Sequence, residues 1–175
     1  MTQIISTQAQ HQAGIEQLLD QCFGPGRLTR TAERLRETNQ QIDAYGFVCL
    51  NEQGQVQASI SYWPVRIGAQ PALLLGPLAV NPELQSTGVG LALMQHSLAL
   101  IDSARFPVVI LVGDLPYYQR VGFAIANADI AMPGPVDANR LLVRGEARLL
   151  TQLAGMVRPA PDLCKFTAKA GVLNV

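Results

Sequence analysis

The apolar segment ALLLGPLAV, at residues 72–80, constrains the fold of this chain more than any other feature. A run with no polar residue at alternate positions is typical of a strand that is covered on both faces. VVILV at Val108–Val112 repeats the pattern, and residues 88–105 carry apolar residues at helical spacing. Two doubly buried strands joined by a helix predict a parallel β-α-β unit at the centre of the domain.

The segments before this unit predict antiparallel strands and two helices. Residues 3–6 resemble a first strand, and residues 15–22 have the apolar spacing of a helix that FGPG ends. We expect a second helix, capped by Thr29 and running to residue 36. Residues 47–62 resemble a hairpin around a glycine turn, and Pro64 is expected to interrupt or end its second strand.

The segments after the unit carry weaker patterns. LPYYQRVGF at 115–123 predicts a short helix that runs into a turn, residues 140–143 predict the start of a strand or helix, and residues 155–161 look irregular. Within the central run, Pro77 cannot donate to a sheet, so a bulge or a splayed strand is expected there. The sequence therefore predicts an α/β (α+β) fold, with a mixed central sheet flanked by helices.

Composition limits the number of domains and the partners. A chain of 175 residues has room for one domain with a sizeable core, so we expect a single domain over residues 1–175. Its 13 basic residues balance 13 acidic residues. Because basic patches are the electrostatic signature of nucleic-acid and anionic-membrane binding, neither partner is expected.

Cysteine and histidine usage indicates a reduced protein without a metal. Cys22, Cys49 and Cys164 form neither a Cys-x-x-Cys pair nor a disulfide pattern, which fits the cytoplasm. His11 and His96 have no metal-ligand spacing around them. The N-terminus lacks the basic and apolar regions of a signal peptide, and no apolar run reaches the ~20 residues of a membrane span.

The turn QSTGVG, at residues 85–90, joins the first buried strand to the central helix. Glycines at a helix N-terminus let a ligand approach unpaired backbone N–H groups, so the turn can bind phosphate without a lysine. The dinucleotide fingerprint is excluded because Leu93 stands where its third glycine belongs, and no P-loop Gly-Lys-Ser/Thr is present. Taken alone, such a turn is more often the plain start of a helix than a phosphate site.

Two motifs together resemble those of a known family. QSTGVG matches the Gln/Arg-x-x-Gly-x-Gly/Ala signature of the GNAT superfamily, the acyl-CoA-dependent N-acyltransferases, and follows a Val-x-Pro step at Val80. YQRVGF, which begins at Tyr118, resembles that family's Tyr-x-x-x-Gly-Phe element. The longer strings around both motifs are similar to the YhbS-like subgroup of predicted acetyltransferases.

The resemblance implies how acetyl-CoA would bind. In this family the two central parallel strands splay apart, the pantetheine arm pairs with the exposed strand, and the glycine turn holds the pyrophosphate. Tyr117 is open to a second interpretation, as a core residue or a wall of the acceptor site. The cofactor-binding residues implied in this way are Leu78, Ala79, Val80, Gln85, Ser86, Thr87, Gly88, Val89, Gly90, Tyr117 and Arg120.

The resemblance also implies the chemistry, which is acetyl transfer from acetyl-CoA to a primary amine of a small molecule or a protein. Tyr118 matches the family tyrosine that protonates the departing thiolate, with packing as its alternative role. The backbone N–H of Val80 is implied as an oxyanion donor. The family's usual glutamate is absent from residues 72–80, so Asp114 is the first candidate for the general base, with capping of the next helix as an equal alternative.

Two further alternatives remain open from the sequence. Because the strand glutamate is missing, a non-catalytic acyl-CoA sensor of the same fold competes with the enzyme. The near-neutral charge, together with Tyr62, Trp63 and Tyr117, indicates an uncharged or amphipathic acceptor. The family often forms homodimers, so the resemblance makes a homodimer one possible assembly, and the sequence leaves the oligomeric state open.

Overall fold

The computed structural model describes residues 3–164. Within this range, seven strands follow one another across a mixed sheet in the order β1-β2-β3-β4-β5-β8-β6. The short β7 pairs with β9, and β9 also pairs with β3. The strands are β1 (Gln3–Ser6), β2 (Phe47–Leu50), β3 (Val56–Ile67), β4 (Gln70–Val80), β5 (Val108–Val112), β6 (Ala124–Ile125), β7 (Ile130–Ala131), β8 (Leu141–Gly145) and β9 (Gly155–Pro159). The α-helices are α1 (Gln12–Phe23), α2 (Val89–Leu100), α3 (Leu115–Tyr118) and α4 (Ala147–Leu150).

The predicted central unit is confirmed. Strands β4 and β5 lie parallel and pair where Leu73 faces Val109 and Leu74 faces Ile110. Beyond this short register the two strands diverge, while β4 continues to pair with β3. The register between β3 and β4 shifts between Ile60 and Tyr62, opposite the predicted irregularity at Pro77. The sheet is therefore open on the β5 side of the second half of β4.

Alternation along β4 explains why its sequence is apolar throughout. Leu73 and Leu75 belong to the core beneath α2, whereas Ala72 and Leu74 belong to the core on the opposite face. Further along, Ala79 packs against α1. Each face of the strand is thus covered, as the sequence pattern predicts.

Several predictions of local structure are wrong. Pro64 does not end β3, because the strand runs on to Ile67 and the Pro64 carbonyl accepts a hydrogen bond from Ala160 N at 3.1 Å. Residues 155–161 are not irregular throughout, since β9 pairs with the end of β3. The helix expected over residues 88–105 ends at Leu100, where Asp102 begins a turn by accepting hydrogen bonds from Arg105 N and Phe106 N.

The second predicted helix is replaced by two 3₁₀ turns, Pro25–Thr29 and Thr31–Leu35. Thr29 does not cap a helix, because its hydroxyl donates to Gly26 O at 2.8 Å within the first turn. The residues predicted as the start of a strand or helix at 140–143 lie largely in β8, which is inserted between β5 and β6.

The prediction of one domain over residues 1–175 extends past the described range, and residues 1–2 and 165–175 lie outside it. In the described part of the chain, every helix is too short or too polar to cross a bilayer.

Candidate active site

A cleft of about 1060 Å³ opens where β4 and β5 diverge. One wall is the second half of β4, and the other is the end of β5 with α3. The two 3₁₀ turns and residues 135–140 close the cleft at the end near Gly76, while the glycine turn lies at the other end of β4. This volume is at the upper end of the range found for small-molecule sites, about 300–1,000 Å³.

The glycine turn has the geometry of an exposed helix N-terminus. Gly88 is the residue before α2, with φ of 90°, a left-handed conformation that favours glycine. A Cβ at Gly88 would have no heavy atom within 4 Å, so the turn is open at this point. Among the predicted turn residues, those lining the cleft are Gln85, Ser86, Gly88 and Gly90, whereas Thr87 and Val89 do not line it.

The backbone of β4 alternates between the neighbouring strand and the cleft. Asn81 N donates to Gln57 O at 2.8 Å, so Asn81 and Gln57 form a hydrogen-bonded pair of the antiparallel ladder. Because such pairs alternate along the strands, Ala79 and Ser59 form the next hydrogen-bonded pair. The backbone groups of Leu78 and Val80 therefore point away from β3 and towards the gap. Ala79 uses its backbone in the sheet, and its side chain is buried, so it does not line the cleft.

Tyr118 lies at the inner wall of the cleft, with its ring packed edge-on against Tyr117 and Phe123. Burial, followed by the neighbouring Tyr117 and Asp114, raises the pKa of the Tyr118 phenol to about 12. Among the described residues its hydroxyl has no hydrogen-bond partner. By contrast, the hydroxyls of Tyr45 and Tyr62 are bonded to Asp102 N and Ser97.

Tyr117 reaches from α3 across to the glycine turn. Its hydroxyl lies 2.5 Å from the position that a Cβ at Gly90 would take, so Gly90 is needed for this approach. Burial raises the pKa of the Tyr117 phenol, while Arg120 lowers it. Tyr117 and Arg120 both line the cleft.

Asp114 lies at the mouth of the cleft, between β5 and α3. Its side chain is 77% exposed and pairs with Arg140, with 3.2 Å between Oδ1 and Nε. The side chain makes no capping hydrogen bond to α3, so the alternative role of helix cap is not observed. The geometry leaves Asp114 in contact with solvent, paired with a cation.

The sequence analysis missed the charged wall formed by the second 3₁₀ turn. Glu33 and Arg36 line the cleft beside Gly76, joined by a 2.9 Å ion pair between Arg36 Nη1 and Glu33 Oε2. Thr31 Oγ1 donates to Pro135 O at 2.7 Å and links this wall to the loop opposite. The only signal in the sequence was the cluster of four arginines between residues 27 and 36, which does not indicate a cleft wall by its spacing.

Two observations concern possible ligands. Within residues 3–164, no group of three or more His, Cys, Asp or Glu side chains is placed to bind a metal ion. The exposed turn amides, the edge of β4 that faces no neighbouring strand and the open gap between the central strands together fit a long ligand with a phosphate at one end. On this edge the Val80 carbonyl accepts a hydrogen bond from Cys22 Sγ at 3.3 Å.

Comparison with known proteins agrees with this architecture. The family model described as "Acetyltransferase (GNAT) family" matches residues 13–123. The curated relatives include the uncharacterized N-acetyltransferase YhbS of Escherichia coli K12, which is 27% identical over 115 residues, 65% of this chain and 68% of the relative.

Two solved structures have the same fold. The structure of YhbS from Escherichia coli in complex with CoA has a TM-score of 0.73 and 23% identity, over 95% of this chain and 93% of the other. A GNAT family acetyltransferase from Brucella melitensis in complex with acetyl-CoA has a TM-score of 0.57 and 27% identity, over 83% of this chain and 94% of the other. The family match, which spans more than half of the chain and includes the splayed strands, the glycine turn and Tyr118, shows that this chain belongs to the GNAT acetyltransferase family.

Proposed function

We propose that this protein is an N-acetyltransferase that moves an acetyl group from acetyl-CoA to a primary amine by direct attack. The observation that carries the proposal is the alignment, along one cleft, of the glycine turn, the free backbone edge of β4 and the unbonded phenol of Tyr118. The relatives reported in complex with CoA and acetyl-CoA support the choice of donor.

In this proposal the chain holds acetyl-CoA mainly through its backbone. The amides of residues 85–90 and the dipole of α2 bind the pyrophosphate, and each charge–dipole contact contributes about 0.3–1 kcal/mol. The backbone groups of Leu78 and Val80 pair with the pantetheine amides. Arg120 adds a positive charge on the wall opposite the turn.

The chemistry requires a neutral amine, a stabilised oxyanion and a protonated leaving group. Acetyl-CoA supplies a thioester carbonyl. A base takes one proton from the acceptor ammonium, the amine nitrogen bonds to the acetyl carbon, and the C–S bond breaks. The nitrogen then loses a second proton, which leaves a neutral amide and replaces the proton that Tyr118 gives up. The Val80 N–H faces the gap as an oxyanion donor, and Tyr118 donates its proton to the thiolate. Its raised pKa keeps the phenol protonated at neutral pH.

Asp114 stays our first candidate for the base, directly or through water. Its exposure gives a proton removed from the amine a path to solvent, and its carboxylate pairs with Arg140 at the mouth of the cleft. The absence of a carboxylate along β4 favours the second candidate function, a sensor that binds acyl-CoA without turnover.

An assay of free thiol release from acetyl-CoA, run over a panel of amines, tests the proposal. Amine-dependent release supports the enzyme. Calorimetric binding of acetyl-CoA without release on any amine would establish the sensor, and no binding at all would remove both functions. We further propose that residues 1–175 form a single cytoplasmic domain. We also propose that the protein forms a homodimer, and light scattering of the purified protein tests this oligomeric state.

A further inference from the structure

Arg36 is one of several charged residues in the cleft that the proposed donor site does not use. Its side chain is only 14% exposed, and Nη1 donates to Glu33 Oε2 at 2.9 Å. The Nη2 atom lies 3.4 Å from the position that a Cβ on Gly76 would occupy. Among the described residues, neither Nη2 nor the buried Nε has a hydrogen-bond partner.

The fold fixes the position of this guanidinium. Leu35, the residue before it, is fully buried in the core against β3 and β4. Asn39 then ties the end of the turn to the sheet, because its Nδ2 donates to Leu35 O at 3.0 Å and to Pro64 O at 2.8 Å. Arg36 is therefore a preorganised group in the wall of the cleft.

Such burial is costly for a charged group. Burial lowers the pKa of the Arg36 guanidinium, and Glu33 opposes that lowering, although arginine stays protonated at neutral pH. One carboxylate satisfies only part of a guanidinium, which has five N–H donors in a planar fork. A buried, under-partnered cation in a cleft is a common property of a binding site for an anion.

The pyrophosphate of the donor is in the wrong place to be that anion. Val80 lies four residue steps along the strand from Gly76, which is beside Arg36. At ~3.3 Å per residue this is about 13 Å, and the glycine turn lies beyond Val80. Arg36 is thus at the acceptor end of the cleft, past the point where the thioester would lie.

We infer that the acceptor is a small primary amine that also carries a carboxylate, such as a free amino acid or a short peptide, and that Arg36 binds this carboxylate. The inference rests on the proposed function and replaces the expectation of an uncharged acceptor. Nη2 and the planar fork give the geometry for a charge-assisted hydrogen bond to a carboxylate oxygen. Glu33, on the other side of the guanidinium, keeps Arg36 oriented and leaves the acceptor a net attraction to it.

The test compares amines that differ only in this carboxylate. Each free amino acid is paired with its own carboxamide, and both are measured as acceptors in the thiol-release assay. Both are also titrated by calorimetry into protein already loaded with CoA, so that acceptor binding is measured without turnover. We expect acids to be bound and acetylated in preference to their amides, by about 10- to 100-fold in KM and Kd.

Three variants assign the preference to Arg36. Arg36→Gln should remove most of the preference while acetyl-CoA affinity is kept, and Arg36→Lys should restore part of it, because lysine keeps the charge but lacks the fork. Arg148→Gln makes the same charge change at an exposed position outside the cleft and should leave the preference intact. Thermal unfolding of each variant shows whether it is folded.

The outcomes distinguish the proposed enzyme activity from the proposed binding of the acceptor carboxylate by Arg36. Acetyl-CoA binding without acetylation of any amine would end the proposed enzyme, while Arg36-dependent binding of acids to the CoA-loaded protein would still support this inference. The inference would be overturned if the protein bound acids and amides equally or bound neither. It would also be overturned if the preference for acids were unchanged in both Arg36 variants.

Discussion

The ring of Tyr118 lies directly against Gly113, so closely that a Cβ at Gly113 would overlap Cε2 of the ring and lie 2.9 Å from Cδ2. Gly113 directly follows β5 at the point where the central strands have parted, and it allows the phenol to lie within the cleft wall. The backbone of Gly113 is not in the left-handed region, so what requires glycine here is space. A side chain added at Gly113 would therefore displace the Tyr118 ring.

Gly113→Ala should lower kcat by moving the Tyr118 hydroxyl, at an overpacking cost of about 1–3 kcal/mol in stability. Because the effect acts through Tyr118, it should shrink strongly in a Tyr118→Phe background. Gly26→Ala, where a Cβ would have no neighbour within 4 Å, is the matched control. Steady-state kinetics of the single and double variants check this, and additive losses in kcat would contradict it.

Tyr118→Phe should lower kcat by about 10²–10⁴-fold, the usual contribution of a general acid, with little change in acetyl-CoA affinity. The variant removes a hydroxyl that has no partner among the described residues, so the fold should be little affected. Tyr117→Phe, on the neighbouring ring, is the comparison. Full activity of Tyr118→Phe would show that water protonates the thiolate.

Gly88→Glu should abolish acetyl-CoA binding, because it puts bulk and negative charge where the pyrophosphate would lie. Gly54→Glu is a close control, since Gly54 also has a left-handed φ, 76°, and open space at its Cβ. Both variants place a glutamate at a left-handed backbone position, and only Gly88 lines the cleft. Calorimetry with acetyl-CoA measures the difference, and equal affinity in the two variants would remove the turn from the binding site.

Asp114→Asn and Glu33→Gln should have different kinetic effects. If Asp114 accepts the amine proton, Asp114→Asn lowers kcat and weakens the acid limb of the pH profile of kcat/KM. Glu33→Gln, which removes the partner of Arg36, should act mainly on the KM for the acceptor. The opposite assignment, with kcat lost in Glu33→Gln and kept in Asp114→Asn, would make Glu33 the base.

The sequence predicted the parts of the site that are local. A buried strand, a glycine turn and a helix follow one another along the chain, and their geometry depends on neighbours in sequence. The same is true of Tyr118 in α3 and of Gly122, whose φ is 83°. For these residues the pattern and the family resemblance agreed with the structure on where the chain turns.

What the sequence missed depends on contacts between distant segments. Strand β9 forms because Val157 and Pro159 meet Ile67 and Val65, about ninety residues away, and no pattern within 155–161 contains that information. Arg36 directly follows the second 3₁₀ turn, and contacts of Leu35 and Asn39 with the sheet hold it in place. A charged wall built from such turns can be recognised only once the sheet beneath it is known.

The raised pKa of Tyr118 gives a last prediction, on stability at alkaline pH. Its ordinary pKa of 10.0 applies to the unfolded chain, and burial raises the folded value to about 12. Below the lower value both states keep the proton, whereas between the two values the unfolded chain loses it first. The phenol's contribution is therefore complete below about pH 10 and falls as pH rises towards 12. Between neutral pH and about pH 11, the free energy of unfolding should fall less in Tyr118→Phe than in the parent protein, by on the order of 1 kcal/mol. Urea unfolding at both pH values measures this, with each protein referred to its own value at neutral pH. Equal losses in the two proteins would mean that the folded structure does not raise this pKa.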